Sequence, residues 1–198
     1  MLSQSELESA FKVHFDEMDK CEEHKCYWAL LHLVVVLPDI CAALESDDGL
    51  TNGNRYKDWC RQHLTQSSKL TGEDWYSIRR GLLHRGTTLS DQGSNKSYSF
   101  SQPTPNGLVV HRITFNQPSG THLHLDVGEL KKEILAAMQK WFQQLEQNSD
   151  SAKSKNVKQH LAILARADNS LTGFIKLEGA DHVVWQSTTS SPTQGGSQ

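Results

Sequence analysis

From Cys26 to about Glu45 the chain is apolar on almost every side of a helix. A helix with no polar face has to be enclosed by other elements, so this segment predicts the central helix of a bundle. Its most apolar part, Ala29 to Leu37, is too short to span a bilayer, which favours a buried core role over a membrane one. Pro38 has no N–H and its ring crowds the preceding turn, so the helix is expected to kink there or divide in two. A chain of 198 residues suits one well-filled core with a trailing segment better than two full domains.

The flanking segments supply the helices that would enclose it. Between Ser3 and about Glu23, Leu7, Phe11, Val13, Phe15 and Met18 recur at roughly helical spacing, and Ser5 with Glu8 has the pattern of a capping box. Turn signals at Asp47-Asp48-Gly49 and Thr51-Asn52-Gly53-Asn54 precede a third helix carrying Arg55, Tyr56, Trp59, Cys60 and Leu64. Thr71-Gly72-Glu73-Asp74 gives an acidic start to a fourth, whose apolar stripe (Trp75, Ile78, Leu82, Leu83) stops at Gly86, a natural C-terminal cap. Leu130 to about Leu145 reads as a long closing helix through Ile134, Leu135, Met138, Trp141 and Phe142, with Lys131 and Lys132 on another face.

Between the fourth and closing helices the character changes. Tyr98-Ser99-Phe100, Leu108 to Phe115 and His122 to Val127 alternate enough for short strands. The expected fold is therefore mainly α: a four-to-five-helix bundle over residues 1–147, with a small antiparallel β insertion at about 97–127. Residues 148–186 read as a C-terminal extension, with a helix near Val157 to Ala167 and weak strands near Phe174 to Leu177 and Val183 to Trp185. Residues 187–198 read as a disordered tail.

A net charge of -3 argues against a protein that coats nucleic acid over its whole surface, so any such contact must be local. The charge is uneven. Residues 1–50 hold eleven acids against three bases, whereas residues 51–90 hold seven bases against three acids. The plain account of that basic surplus is a solvated face paired with the acidic first helix. No basic stretch followed by an apolar run opens the chain, and its four cysteines (Cys21, Cys26, Cys41, Cys60) form no Cys-x-x-Cys pair. Reduced thiols in a cytoplasmic protein with no membrane association are expected.

The fourth helix concentrates the chemistry in Arg79, Arg80, His84 and Arg85. At about 100° per residue, Arg80 and His84 lie about 40° apart on one face, whereas Arg79 and His84 diverge by about 140° unless the last turn tightens or unwinds. Gly81 eases such a departure. An arginine beside such a histidine can hold a phosphate through two parallel hydrogen bonds while the imidazole moves a proton, which suits metal-free cleavage of RNA. The plain alternative is a capping histidine with solvent-facing arginines. Cys21, His24 and Cys26, with His14, are zinc-ligand types at a spacing that matches no standard finger. His122 and His124 share one face of a strand, where with His111 they can bind a metal or, on the plainer reading, face solvent, and Trp59, Trp75 and Trp141 read as core rather than base-stacking groups.

The arginine, four residues, then histidine of Arg79 to His84 matches the signature of HEPN (higher eukaryotes and prokaryotes nucleotide-binding) domains. Leu37 to Glu45, Asn54-Arg55-Tyr56, Trp59 and Tyr76 to Gly86 together resemble a bacterial and plasmid-borne subgroup, in order and in spacing. The resemblance covers about residues 5–147. It implies a helical bundle that forms a homodimer, so that two Arg/His pairs meet across a twofold axis. In many relatives that site is a metal-independent endoribonuclease of toxin or defence systems; other relatives only bind nucleotide, RNA or protein. Arg79 would then grip the scissile phosphate and His84 would transfer the proton, with Arg80 and Arg85 contacting substrate and Asp39, Glu45 and Arg55 supporting the site. Arg80 departs from the polar Asn, Asp or His usual after the signature arginine. The implied partners are RNA or a nucleotide, a second copy of the chain and an antitoxin protein; neither metal nor cofactor is implied.

Overall fold

The computed structural model of the chain describes residues 3–64, 70–87, 96–104, 109–118 and 120–169. Among the described residues six helices build one core: α1 (Gln4–Glu23), α2 (Tyr27–Glu45), α3 (Gly53–His63), α4 (Gly72–Arg80), α5 (Val127–Gln147) and α6 (Ala152–Asn169). Three short strands, β1 (Lys96–Ser101), β2 (Ile113–Gln117) and β3 (Gly120–Asp126), sit between α4 and α5 in the chain. The result is a mainly helical bundle with a small β insertion, as the apolar periodicities predict. The expected strands at Phe174 to Leu177 and Val183 to Trp185, and the tail, lie outside the described residues.

α2 is the hub. It buries residues from Leu30 to Leu44, and α1, α3, α4, α5 and α6 all pack against it. By length and apolarity (mean hydropathy 1.9) it would also suffice to cross a membrane. It runs unbroken through Pro38, so of the kink or division expected there the division does not occur. Around it Trp59, Trp75 and Trp141 are fully buried, Trp141 edge-on to both Phe11 and Trp59. Side chains of this size remove large apolar areas from water, each contributing about 3 kcal/mol or more.

Local signals set the helix boundaries. α1 starts from a Ser3/Glu6 capping box, two residues earlier than the Ser5/Glu8 pair the sequence suggests. Asn52 caps α3 through the backbone N–H groups of Asn54 and Arg55, and Asp126 caps α5 through that of Glu129. Lys131 is not a solvated lysine: its ammonium is buried and bonded to Asp19 at 2.7 Å and Glu22 at 2.5 Å. Two acids of α1, Asp19 and Glu22, are thus answered from α5. α6 is also part of the bundle, since its Val157 and Leu161 join the core and its Lys153 reaches Glu45 at 2.8 Å.

The sheet has the order β1-β3-β2 and is mixed. β2 and β3 form the expected antiparallel pair, but β1 runs parallel to β3. Register explains the choice: Tyr98 falls opposite Leu123 and Phe100 opposite Leu125, which puts the apolar members of both strands on the face that meets the core.

Candidate functional site

α4 begins with a capping box in which the Thr71 hydroxyl accepts from the Asp74 N–H and the Asp74 carboxylate accepts from the Thr71 N–H. Asp74 also accepts from Lys96 Nζ at 2.8 Å and Tyr98 Oη at 2.9 Å, tying the sheet to the helix. Burial by itself pushes this carboxyl up, yet the bonds from Lys96, Thr71 and Tyr98 outweigh it and hold its pKa below the ordinary value.

The helix ends quite differently. After Arg80 the hydrogen bonding switches to a π-turn over Gly81–Arg85, closed by Gly86 in the left-handed region (φ 58°), whose N–H donates to the Gly81 carbonyl five residues back. A turn closed by bonds of that span brings residues five apart onto one face. Arg79 and His84, which an ideal helix would separate by about 140°, are therefore in contact: Arg79 Nη1 lies 3.2 Å from His84 Nε2. Arginine has no acceptor, so Nη1 donates, Nε2 accepts, and the ring proton of a neutral His84 resides on Nδ1.

The other side of the guanidinium is fixed. Arg79 Nε donates to Asp39 Oδ2 at 2.7 Å, with the two side chains 20% and 14% exposed. Tyr56 places its ring 6.0 Å from the guanidinium carbon and is itself held by a 3.0 Å bond from Oη to the Val35 carbonyl, close to Pro38. Asp39, Tyr56, Arg79 and His84 thus form one constellation drawn from α2, α3, α4 and the π-turn. The Nη2 donors of Arg79 take no part in these bonds, the side chain is 20% exposed, and His84 is exposed. Oriented guanidinium donors beside an imidazole can hold a phosphate and move a proton next to it. Tyr56 is the member that the residue pattern assigned only to an apolar stripe; its aromatic ring at one helical turn from Trp59 gives no hint of the guanidinium above it.

Arg80, Leu83 and Arg85 are exposed on the same end of α4. Glu45 and Arg55, expected as supporting groups, are not brought to Arg79 and His84. Arg55 Nη1 is bonded to Asp48 at 2.6 Å and to the Leu50 carbonyl at 2.7 Å, holding the Asp48 carboxyl down to about 2. Glu45 accepts from Trp141 Nε1 and Lys153 Nζ, each at 2.8 Å, and with Arg55 lines a separate cleft between α2, α3 and α6. The physical reason is rotation: Asp39 and Glu45 are six residues apart, about 240° around α2, so they address different neighbours. In that second region the buried His63 is driven by desolvation down to about 4, with Lys153 assisting and Glu45 opposing.

The remaining candidates resolve individually. Among the described residues no group of three or more His, Cys, Asp or Glu side chains could hold a metal ion. Cys21, His24 and Cys26 instead belong to the turn that ends α1, where Cys26 N–H donates to the Cys21 carbonyl at 2.7 Å. His111 is half-buried: its Nδ1 accepts from the Asp126 N–H and its Nε2 lies 3.0 Å from Glu133. Burial, then Arg112, lowers its pKa. Neither a family model, nor a curated protein, nor a solved structure matches this chain.

Proposed function

We propose that the α4 site cleaves RNA without a metal, as in the HEPN class, with two copies of the chain bringing their Arg79 and His84 together in one composite site. The observation that carries this reading is the pair itself: a guanidinium anchored by Asp39 at 2.7 Å and set against His84 at 3.2 Å by a π-turn. Arg79 would present its outer N–H groups to the scissile phosphate, where they gain strength as charge develops. The ribose 2′-hydroxyl attacks phosphorus, its proton passing to an imidazole, and the 5′-oxygen leaves with a proton from the second histidine. The products are a 2′,3′-cyclic phosphate and a 5′-hydroxyl. Exposed Leu83 beside the pair offers apolar contact for a second copy, and the flanking Arg80 and Arg85 supply cations where the backbone would run. A cytoplasmic nuclease of this kind needs restraint, which makes a cognate protein antitoxin a natural partner.

One observation favours a second reading, a HEPN-like module that binds nucleotide, RNA or protein without turnover. The Nε2 lone pair of His84 is occupied by Arg79, so the imidazole serves as a base at that nitrogen only after the contact opens. The two readings separate in one experiment. A mixed RNA pool is incubated with the native protein, His84→Ala and Arg79→Ala in excess EDTA. Cleavage by the native protein with cyclic-phosphate ends, falling at least about 100-fold in both variants, is the expected result. Binding without cleavage by the native protein would overturn the nuclease in favour of the binding module.

A further inference from the structure

On the face of the sheet turned away from Tyr98 and Leu125, the parallel register sets Ser97 opposite His122 and Ser99 opposite His124. Ser99 Oγ lies 2.8 Å from His122 Nε2 and 2.8 Å from His124 Nδ1, while His122 Nδ1 lies 2.8 Å from Ser97 Oγ. The four side chains form one continuous chain of hydrogen bonds. Each hydroxyl has a single proton and each neutral imidazole has one donor and one acceptor, so the chain runs in one direction or the other. In one, Ser99 donates to His124 while His122 donates to Ser99. In the other, Ser99 donates to His122, which donates onward to Ser97. Both directions aim the Ser99 proton at an imidazole lone pair, and the second reproduces the nucleophile, base and orienting acceptor of activated hydroxyls.

Ser99 also lines a groove of about 340 Å³ between β1 and the start of α2. Its walls are largely apolar, formed by Tyr27, Trp28, Leu31, Phe100 and Val127, with Ser101 and Gln102 also lining it. Trp28 is 53% exposed there, an unusual setting for so large an apolar ring. Ser99 is itself one of the residues that line this groove, so a substrate that presents a carbonyl to its hydroxyl and an apolar chain to the groove suits the position.

We propose that Ser99 is the nucleophile of a second site, which takes esters of apolar carboxylic acids. Ser99 Oγ bonds to the carbonyl carbon as its proton passes to an imidazole; the carbon–oxygen bond to the alcohol then breaks and the alcohol leaves with that proton. Water enters by the same proton route, breaks the acyl–serine bond and releases the acid with Ser99 restored. Neither Arg79 nor His84 takes part, so this site stands or falls apart from the RNA reading.

The test is labelling of the full chain with an alkyl fluorophosphonate, which loses fluoride to an activated serine, read by peptide mass spectrometry. The expected result is an adduct on Ser99 in the native protein, absent after urea denaturation. Labelling should be slowed at least tenfold in a His122→Ala/His124→Ala double variant and unchanged in His84→Ala. Hydrolysis of p-nitrophenyl butyrate should follow the same order and vanish in Ser99→Ala. Absence of a Ser99 adduct in the native protein, or equal labelling of native and denatured chains, would overturn the proposal without reference to any variant's folding. Equal labelling of the double variant would overturn the role of the imidazoles.

Discussion

The two ends of α4 make opposite use of charged side chains. At the start, Asp74 is 5% exposed and gathers Thr71, Lys96 and Tyr98 around one carboxylate, so its lone pairs are consumed by the fold. At the other end, Arg79 spends its Nε on Asp39 and Nη1 on His84, with its side chain 20% exposed. A cluster whose donors and acceptors answer one another holds a structure; a cluster that fixes one side of a group and leaves the other outward can hold a ligand. On this contrast, substitutions at the start of α4 should cost stability, and those at its end should cost function.

The largest stability effect is expected at Asp74. Asp74→Ala removes the capping box and strands a buried tyrosine hydroxyl and a lysine, which together should cost about 3 kcal/mol in urea or thermal unfolding. Because the folded pKa is below the unfolded value of about 3.9, this stabilisation is complete above that pH and is lost as pH falls through the folded value. The variant should therefore lack that part of the native acid sensitivity. A variant as stable as native at pH 7 would break the assignment of this end to structure.

Asp39→Asn probes the other end. The amide oxygen can still accept from Arg79 Nε but no longer carries charge, so the guanidinium is held less firmly. RNA cleavage should fall about tenfold in kcat/KM, equivalent to about 1.4 kcal/mol, while the melting temperature moves little. A change in stability with cleavage intact would make the ion pair a strut and blur the distinction between the two ends.

How far these features were legible follows from the physics of each. Helix positions are readable because burial imposes a 3.6-residue period on apolar side chains, and the acidic stretch at Thr71 to Asp74 marks a helix start, although not the capping box that it forms. The Arg79 to His84 spacing was readable as a motif, but its geometry was not: an α-helix would part the two, and only the switch to a π-turn joins them. Gly81 marked the place where departure is cheap without saying in which direction. Asp39 lies against Arg79 whereas Glu45 and Arg55 bond elsewhere, since nearness in sequence says nothing of rotation about α2. The parallel pairing of β1 was missed because short strands set their partner by a register with distant residues.

The smallest effect expected is at Gly86, and it is the one that addresses the π-turn directly. Gly86 ends the turn with φ 58° and ψ 27°, a conformation costing an L side chain about 1 kcal/mol, although a Cβ there would meet nothing within 4 Å. Gly86→Ala should thus cost about 1 kcal/mol of stability through the backbone alone. If the left-handed cap is what holds the turn in its i→i+5 pattern, that strain is relieved by rewinding the last turn towards α, which rotates His84 away from Arg79. Imidazole nitrogen NMR shifts of His84 would then lose the signature of an Nε2 acceptor, and RNA cleavage would fall by more than the stability loss explains. Retention of both would mean that the turn is set by the packing of buried Gly81 and Leu82, not by its cap.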